Sequence, residues 1–444
     1  MDNAIESRLT AFRIVRDVVY FGKTTDDAFS ACKRSALAES DKHFVRQLAL
    51  TTLRHYGQIQ SLIAHFLTKP LGRKLRDIQL ILSLGVAQII FLQTPSHAAV
   101  DTSVRLVKQM QKTPFAGLVN GVLRRLDREK ANLSIPSCVE NLPEWLLRSW
   151  QKTYGKGKTQ AIAEKLTTEP LLDITVKENP LEWAARWGGV VLETGTVRVN
   201  AGEDITKRAG YETGEWWIQE ASASIPAQLF PSVKGKRVAD LCSAPGGKTA
   251  QLVTRGAIVD AYDISERRLN RLRENINRLG MNESVRVFCA DVSELKVRPE
   301  NLYDAVLLDA PCSATGTIRR HPDLLFHRTA DDVIRLSLLQ RTLLKKAVEL
   351  VKPGGYIVYA TCSLQSEENE RVVQDVVQCC PMIKRVELPE KWARFKIMPE
   401  HCRCCRIKDK MVFMPLYSEK INKTLTAPRK CSILKDGRSE CQQY

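Results

Sequence analysis

No stretch of this chain is both long and apolar enough to cross a membrane. The most apolar run, Ile78 to Leu92, is interrupted by Gln79, Ser83 and Gln88 and falls short of the roughly 20 residues a span needs. A signal peptide is also missing, because the opening MDNAIESRLT carries acids where a basic n-region would lie. There is no disulfide framework. The 13 cysteines stand at irregular spacing in 444 residues, which points to a reducing cytoplasm and turns the question to which thiols react. GxxxxGKS/T is absent, which excludes a Walker phosphate loop, and so is GxGxxG, which argues against a dinucleotide pyrophosphate.

What is present is an ordinary globular composition, 44% hydrophobic and 26% charged. That excludes disordered, collagenous and coiled-coil classes, and the length predicts two or three domains. The formal net charge is +17, distributed as +9 over residues 1–130, −3 over 131–230 and +11 over 231–444. A basic field of this size raises encounter rates with polyanions, of which nucleic acid is the commonest.

Residues 1–130 read as helices only. Apolar residues recur at three- and four-residue steps in LTAFRIVRDVVYF, FVRQLALTTLRHYGQIQSLIAHFL, IQLILSLGVAQIIFL, AAVDTSVRLVKQM and FAGLVNGVLRRL. Pro95 and Pro114 break the chain before the last two. Residues 131–215 carry four of the seven tryptophans and two short strand candidates, DITVKEN and VRVNAG, and read as a small mixed α/β unit. From about Trp216 to 419, strand candidates at 237–244, 257–264, 285–291, 303–311 and 355–363 alternate with helical stretches. Such alternation predicts a parallel sheet wrapped on both faces. Residues 420–444 are basic, polar and aperiodic, and read as a disordered tail.

The first strand of this alternating region runs into Asp240-Leu-Cys-Ser-Ala-Pro-Gly-Gly-Lys-Thr249. Gly246 and Gly247 allow a tight turn and close approach of backbone to a ligand. Asp263 closes the second strand, where a carboxylate can take both hydroxyls of a ribose, and Asp291 closes the third, where one could accept an adenine amino group. Three strand-end acids, a glycine turn and no phosphate cradle suit a nucleoside without phosphate, and S-adenosyl-L-methionine is the obvious one.

Cys312 follows the fourth strand in Leu-Asp309-Ala-Pro-Cys312, and Cys362 follows the fifth in Ala-Thr-Cys362-Ser. Both positions lie at the sheet edge where open α/β folds bind ligands. Cys32, Cys138 and Cys289 read instead as small core hydrophobes, and Cys379-Cys380 as helix-end packing. Two thiols and a carboxylate beside a methyl donor suggest pyrimidine chemistry. Carbon 5 of a pyrimidine becomes nucleophilic only after a nucleophile adds to carbon 6, and a thiolate both adds well and leaves later. An acid at the ring N3 stabilises the adduct, and a second group must help remove the carbon 5 proton.

These segments resemble a known family. LYDAVLLDAPCSATGTIRRHPD, DLCSAPGGKT and YATCSLQSEENE are similar to the signature, cofactor loop and second cysteine motif of the Sun-type 5-methylcytosine RNA methyltransferases. KPLGRKLRDIQLILSLGVAQI, PSHAAVDTSVRLVK and GLVNGVLRRLDR look like the NusB-type domain of the bacterial members that act on 16S ribosomal RNA. The resemblance spans about residues 5–418. It implies a Rossmann-like, class I S-adenosylmethionine-dependent methyltransferase domain (α/β) preceded by an all-α NusB-like RNA-binding domain. By matching position, Cys362 would attack carbon 6, Cys312 would assist release, and Asp309 would contact N3 and the cofactor. Cys242, Ser243, Ala244, Pro245, Gly246, Gly247, Lys248, Asp263 and Asp291 would line the S-adenosylmethionine pocket. The expected partner is 16S ribosomal RNA, met by a cytoplasmic monomer.

The chain departs from the family pattern at Ser243 (usually Ala), at Ala314 (usually Gly) and at Leu324-Leu325-Phe326, where a Lys-Trp pair is common. A non-catalytic RNA-binding factor and a transfer-RNA or DNA cytosine methylase are the competing classes. The intact cysteines, Asp309 and Gly-Gly turn disfavour the first, and the two-cysteine arrangement and NusB-like region disfavour the others. His401, Cys402, Cys404 and Cys405 invite a zinc reading, but no second pair at ligand spacing follows, so no metal is expected.

Overall fold

The computed structural model describes residues 3–32, 37–200, 205–386, 392 and 412–415. Helices Asn3–Phe21, Thr25–Cys32, Glu39–Arg54, Tyr56–Phe66, Arg76–Val86, Ser96–Gln109 and Ala116–Glu129 pack as a bundle. Their apolar stripes meet in one core that includes Phe12, Leu48, Leu53, Ile59, Ile81, Leu106 and Leu123. Two details differ from the periodicity. The run from Phe44 to Leu67 is broken at His55, whose φ of −104° and ψ of 16° leave the helical range. The apolar run after Ile78 ends in a π-helical turn, Ala87–Phe91. Gly57, just past the break, is where the chain of the next unit comes closest. A Cβ there would lie 1.9 Å from the Glu140 carbonyl oxygen, so only glycine fits.

The middle of the chain forms a four-stranded antiparallel sheet from β1 (Leu172–Val176), β2 (Val190–Val191), β3 (Val197–Val199) and β4 (Trp216–Ile218), in the order β2-β3-β1-β4. Trp216, where the sequence pattern changes to alternating strand and helix, therefore completes this small sheet. Trp183, Trp187 and Trp216 pack together in its core, Trp183 tilted against Trp187 and Trp187 edge-on to Trp216. Asp173 and Arg198 pair inside it at 2.6 Å, both buried.

The strand candidates of the last third become β5 (Arg237–Leu241), β6 (Ile258–Asp263), β7 (Val285–Cys289), β8 (Tyr303–Asp309) and β9 (Val351–Ala360). They form a parallel sheet extended by antiparallel β10 (Val412–Pro415), in the order β10-β9-β8-β5-β6-β7. Alternate residues go to opposite faces, as the period of a strand requires. Val238, Ala305 and Leu307 pack with Ala250, Leu252 and Leu272 of the helices on one side. Ala239, Leu241, Val306 and Leu308 pack with Leu343, Leu344, Ala347 and Val372 on the other. Both cores are fully covered, which fixes the carboxyl ends of β5, β6, β8 and β9 along one edge.

The helical bundle is joined to the loop that follows β8. Thr25 Oγ1 donates to Asp323 Oδ1 at 2.8 Å, both residues being buried. His327 Nε2 donates to the Val18 carbonyl at 2.9 Å, and Tyr56 meets Phe326 edge-on at 5.2 Å. Arg54, buried between these units, donates to the Arg319 carbonyl at 3.1 Å, and burial pulls its pKa down to about 10. Among the described residues no helix is long and apolar enough to cross a membrane.

Candidate active site

The turn after β5 is shaped by backbone that few residues tolerate. Cys242 stands at φ +62° and Gly246 at φ +99°, with a cis peptide between Ala244 and Pro245. Gly246 opens the helix Gly247–Thr254, so the turn presents backbone N–H groups at the edge of the sheet. Ser243 ties the turn to β6, its N–H and hydroxyl both donating to the Tyr262 carbonyl, at 2.9 and 3.2 Å. Asp263 ties it from the other side. It is 1% exposed, and it accepts from the Ala244 N–H at 3.3 Å and the Ser265 N–H at 3.0 Å, with Arg268 at 3.4 Å. Asp291 caps the turn Val292–Glu294 through Oδ1, which accepts from the Ser293 N–H and hydroxyl at 2.8 and 2.7 Å. Burial, with Asp263 and Asp309 nearby, pushes the Cys242 thiol up to about 12. Cys242 therefore stays protonated and is no nucleophile.

The two later strand ends bring the reactive groups together. Cys312 Sγ and Cys362 Sγ lie 3.3 Å apart, although 50 residues separate them in sequence. Their backbones are joined as well: the Gly316 N–H donates to the Cys362 carbonyl at 2.8 Å, and the Ala310 N–H to Ala360 at 2.9 Å. The hydrogen bond between the thiols polarises the pair. It holds Cys362 below the usual thiol range and Cys312 well above it. Cys362 is the solvent-exposed member and Cys312 is half-buried. Lys248 Nζ donates to Asp309 Oδ2 at 2.6 Å. Burial pulls the ammonium down, but the charge and hydrogen bond of Asp309 outweigh it and hold the pKa up. The same ammonium lowers the Cys362 pKa. Such a site offers a thiol of lowered pKa, a second thiol and an ion pair on one edge.

The comparisons bear on both halves of the chain. The model of the NusB family matches residues 5–128, and that of the 16S rRNA methyltransferase RsmB/F family matches residues 227–401. The ribosomal RNA small subunit methyltransferase B of Xanthomonas campestris pv. campestris is 31% identical over 388 residues, 84% of this chain and 88% of that protein. The chain belongs to the RsmB/F family. The Klebsiella pneumoniae member is 32% identical over 84% of this chain and 90% of its own length. A crystal structure, that of PH0851, superposes with a TM-score of 0.69 at 21% identity, over 91% of this chain and 98% of that one, which speaks to the fold.

The family's cofactor is S-adenosylmethionine, and the residues present fit it. The glycine turn opens a helix without a phosphate cradle, and Asp291 Oδ2 has no partner among the described residues. Two of the family departures also find a place. Ala314 stands at φ +59°, a left-handed conformation that glycine adopts freely and alanine does not, which is why glycine is usual there. Phe326 packs on the helical bundle and Leu324 and Leu325 on the helices after it, in place of the Lys-Trp pair.

Several cysteine expectations need correction. Cys289 is exposed, because β7 is the edge strand of its sheet, with no strand beyond it among the described residues. Cys138 is half-buried. Cys380 packs against the sheet core, whereas Cys379 faces solvent. The side chain of Cys32, the group His401, Cys402, Cys404 and Cys405, and the tail lie outside the described residues. Among the described residues no cluster of three His, Cys, Asp or Glu could hold a metal.

Sequence reasoning passed over Glu368, which is fully buried behind the two cysteine loops. The signal available was its place in YATCSLQSEENE, six residues after Cys362.

Proposed function

We propose that this protein transfers a methyl group from S-adenosylmethionine to carbon 5 of a specific cytosine in 16S ribosomal RNA, through a covalent cysteine–cytosine adduct. The observation that carries the reading is the polarised pair of thiols beside the Lys248–Asp309 ion pair. The NusB-like bundle, net +9 over residues 1–130, supplies the basic surface an RNA needs. Bound S-adenosylmethionine supplies the methyl group. Residues 242–248, Asp263, Asp291 and Asp309 would hold it, with Arg268 yielding its contact to Asp263 as the ribose hydroxyls arrive.

Cys362 is the nucleophile. Its depressed pKa makes it the thiolate of the pair, and its sulfur bonds to carbon 6 of the cytosine. Negative charge then builds on N3, where the ammonium of Lys248, held by the Asp309 carboxylate, supplies a proton or hydrogen bond. Carbon 5, now enamine-like, takes the methyl group. A proton must next leave carbon 5 so that the electrons can return and break the carbon–sulfur bond. Cys312 is suited to help, and the adduct itself prepares it. The hydrogen bond to Cys362 is what raises the Cys312 pKa most, with burial and the Cys362 charge behind it, and both the bond and the charge are gone once Cys362 is a thioether.

The test is product identity. Purified protein, 16S ribosomal RNA and methyl-labelled S-adenosylmethionine should yield 5-methylcytidine as the labelled nucleoside on mass spectrometry. Label on another nucleoside, or none, would overturn the reading. Bisulfite sequencing of ribosomal RNA from a strain lacking the gene would locate the cytosine.

A further inference from the structure

Each of the two paired cysteines is followed in sequence by a serine, Cys312-Ser313 and Cys362-Ser363. Both serines are fully buried, and their hydroxyls lie 3.1 Å apart. They converge on one acid. Ser313 Oγ and Ser363 Oγ both donate to Glu368 Oε2. The Ser313 N–H donates to Oε1 at 2.7 Å, and Gln340 Nε2 donates to the same oxygen at 3.1 Å. Gln340 also holds the Pro311 carbonyl at 2.9 Å. The backbone of Glu368 is fixed too, since its carbonyl accepts from the Tyr359 hydroxyl at 2.6 Å.

Among the described residues this carboxylate, 0% exposed, forms no ion pair. A buried charge without a counter-ion is costly, and an apolar side chain would pack the same space at less expense. What the charge provides is four acceptor sites at one point, filled by donors from both cysteine loops and from the helix Ala330–Leu350.

We infer that Glu368 is the positioning residue that holds the two thiols in contact, by fastening the loop after Cys312 and the loop after Cys362 to a single carboxylate. It touches neither sulfur nor substrate and acts only through Ser313 and Ser363. Its charge also adds to the rise in the Cys312 pKa, behind the bond to Cys362 and burial. The same charge raises the Cys362 pKa as well. The inference rests on the two-cysteine reading for its catalytic meaning, but the spacing it explains can be measured without any RNA.

Diamide takes two electrons and two protons from neighbouring thiols and leaves a disulfide, so the rate of Cys312–Cys362 closure reports how well the sulfurs are held together. Peptide mapping by mass spectrometry distinguishes this link from those of the other cysteines. The full-length protein should close rapidly, and Glu368→Gln should close at least tenfold more slowly. Ser363→Ala, which removes one arm and little volume, should give a smaller slowing, and it serves alone if Glu368→Gln does not fold. In methyl transfer, Glu368→Gln should lower kcat at least tenfold with KM for RNA little changed. Closure at the unmodified rate in both folded variants would overturn the inference. If the unmodified protein makes no 5-methylcytidine, the functional reading fails, while the closure rates still decide the role of Glu368.

Discussion

Asp240 is a carboxylate with almost no water around it. It is fully buried in β5, with one oxygen accepting from Thr249 at 2.6 Å and the other without a partner among the described residues. Burial raises its pKa to about 7, the Thr249 bond pulling down and the Asp309 charge adding to the rise. The sign of the consequence follows from proton counting. Between roughly pH 4 and 7 the folded protein keeps a proton that the unfolded chain has lost, so stability falls as pH rises through that window. Asp240→Asn should remove that slope, leaving urea midpoints at pH 5 and pH 8 closer together than in the unmodified protein. An unchanged gap would assign the proton elsewhere. Cys242, Cys312 and Cys362 make the same point for thiols: one sheet edge holds three of them, and only the exposed one that accepts a hydrogen bond is depressed.

At the scale of elements, the sheet was legible because each of its first four parallel strands is a short apolar run with an acid within two residues of its carboxyl end: Asp240, Asp263, Asp291 or Asp309. The break at His55 was not, since both flanking segments share one helical period. β2 and β4 are two and three residues long, too short for periodicity to register, whereas VRVNAG marked β3. Glu368 was hidden for a different reason. Spacing places a residue on an element, but which buried donors share one carboxylate depends on how two loops fold over each other. Glycine was the most readable sign of the cofactor turn. Gly246 sits at φ +99°, and a Cβ there would lie 3.0 Å from Leu272 Cγ. Gly246→Ala should therefore cost about 1–3 kcal/mol of stability, read from urea unfolding. A loss below a few tenths would mean that the turn relaxes freely.

For the whole molecule, the bundle and the parallel sheet meet at the loop after Cys312. Thr25, Val18, Arg54 and Tyr56 all hold that loop from the bundle side. Breaking one tie tests the coupling. Asp323→Ala leaves the buried Thr25 hydroxyl unsatisfied, and should cost about 1–3 kcal/mol in unfolding experiments. It should also reduce methyl transfer while S-adenosylmethionine affinity, measured by calorimetry, stays the same. Full activity in that variant would show that the bundle contributes only RNA affinity. The division of labour between the two thiols can be read from one denaturing gel with labelled RNA and three proteins. If Cys362 attacks and Cys312 assists release, Cys312→Ala stalls after methyl transfer and leaves protein and RNA covalently joined through Cys362. Cys362→Ala then forms no adduct and transfers no methyl group, and the unmodified protein turns over without accumulating the complex. A trapped complex in Cys362→Ala but not in Cys312→Ala would contradict the account.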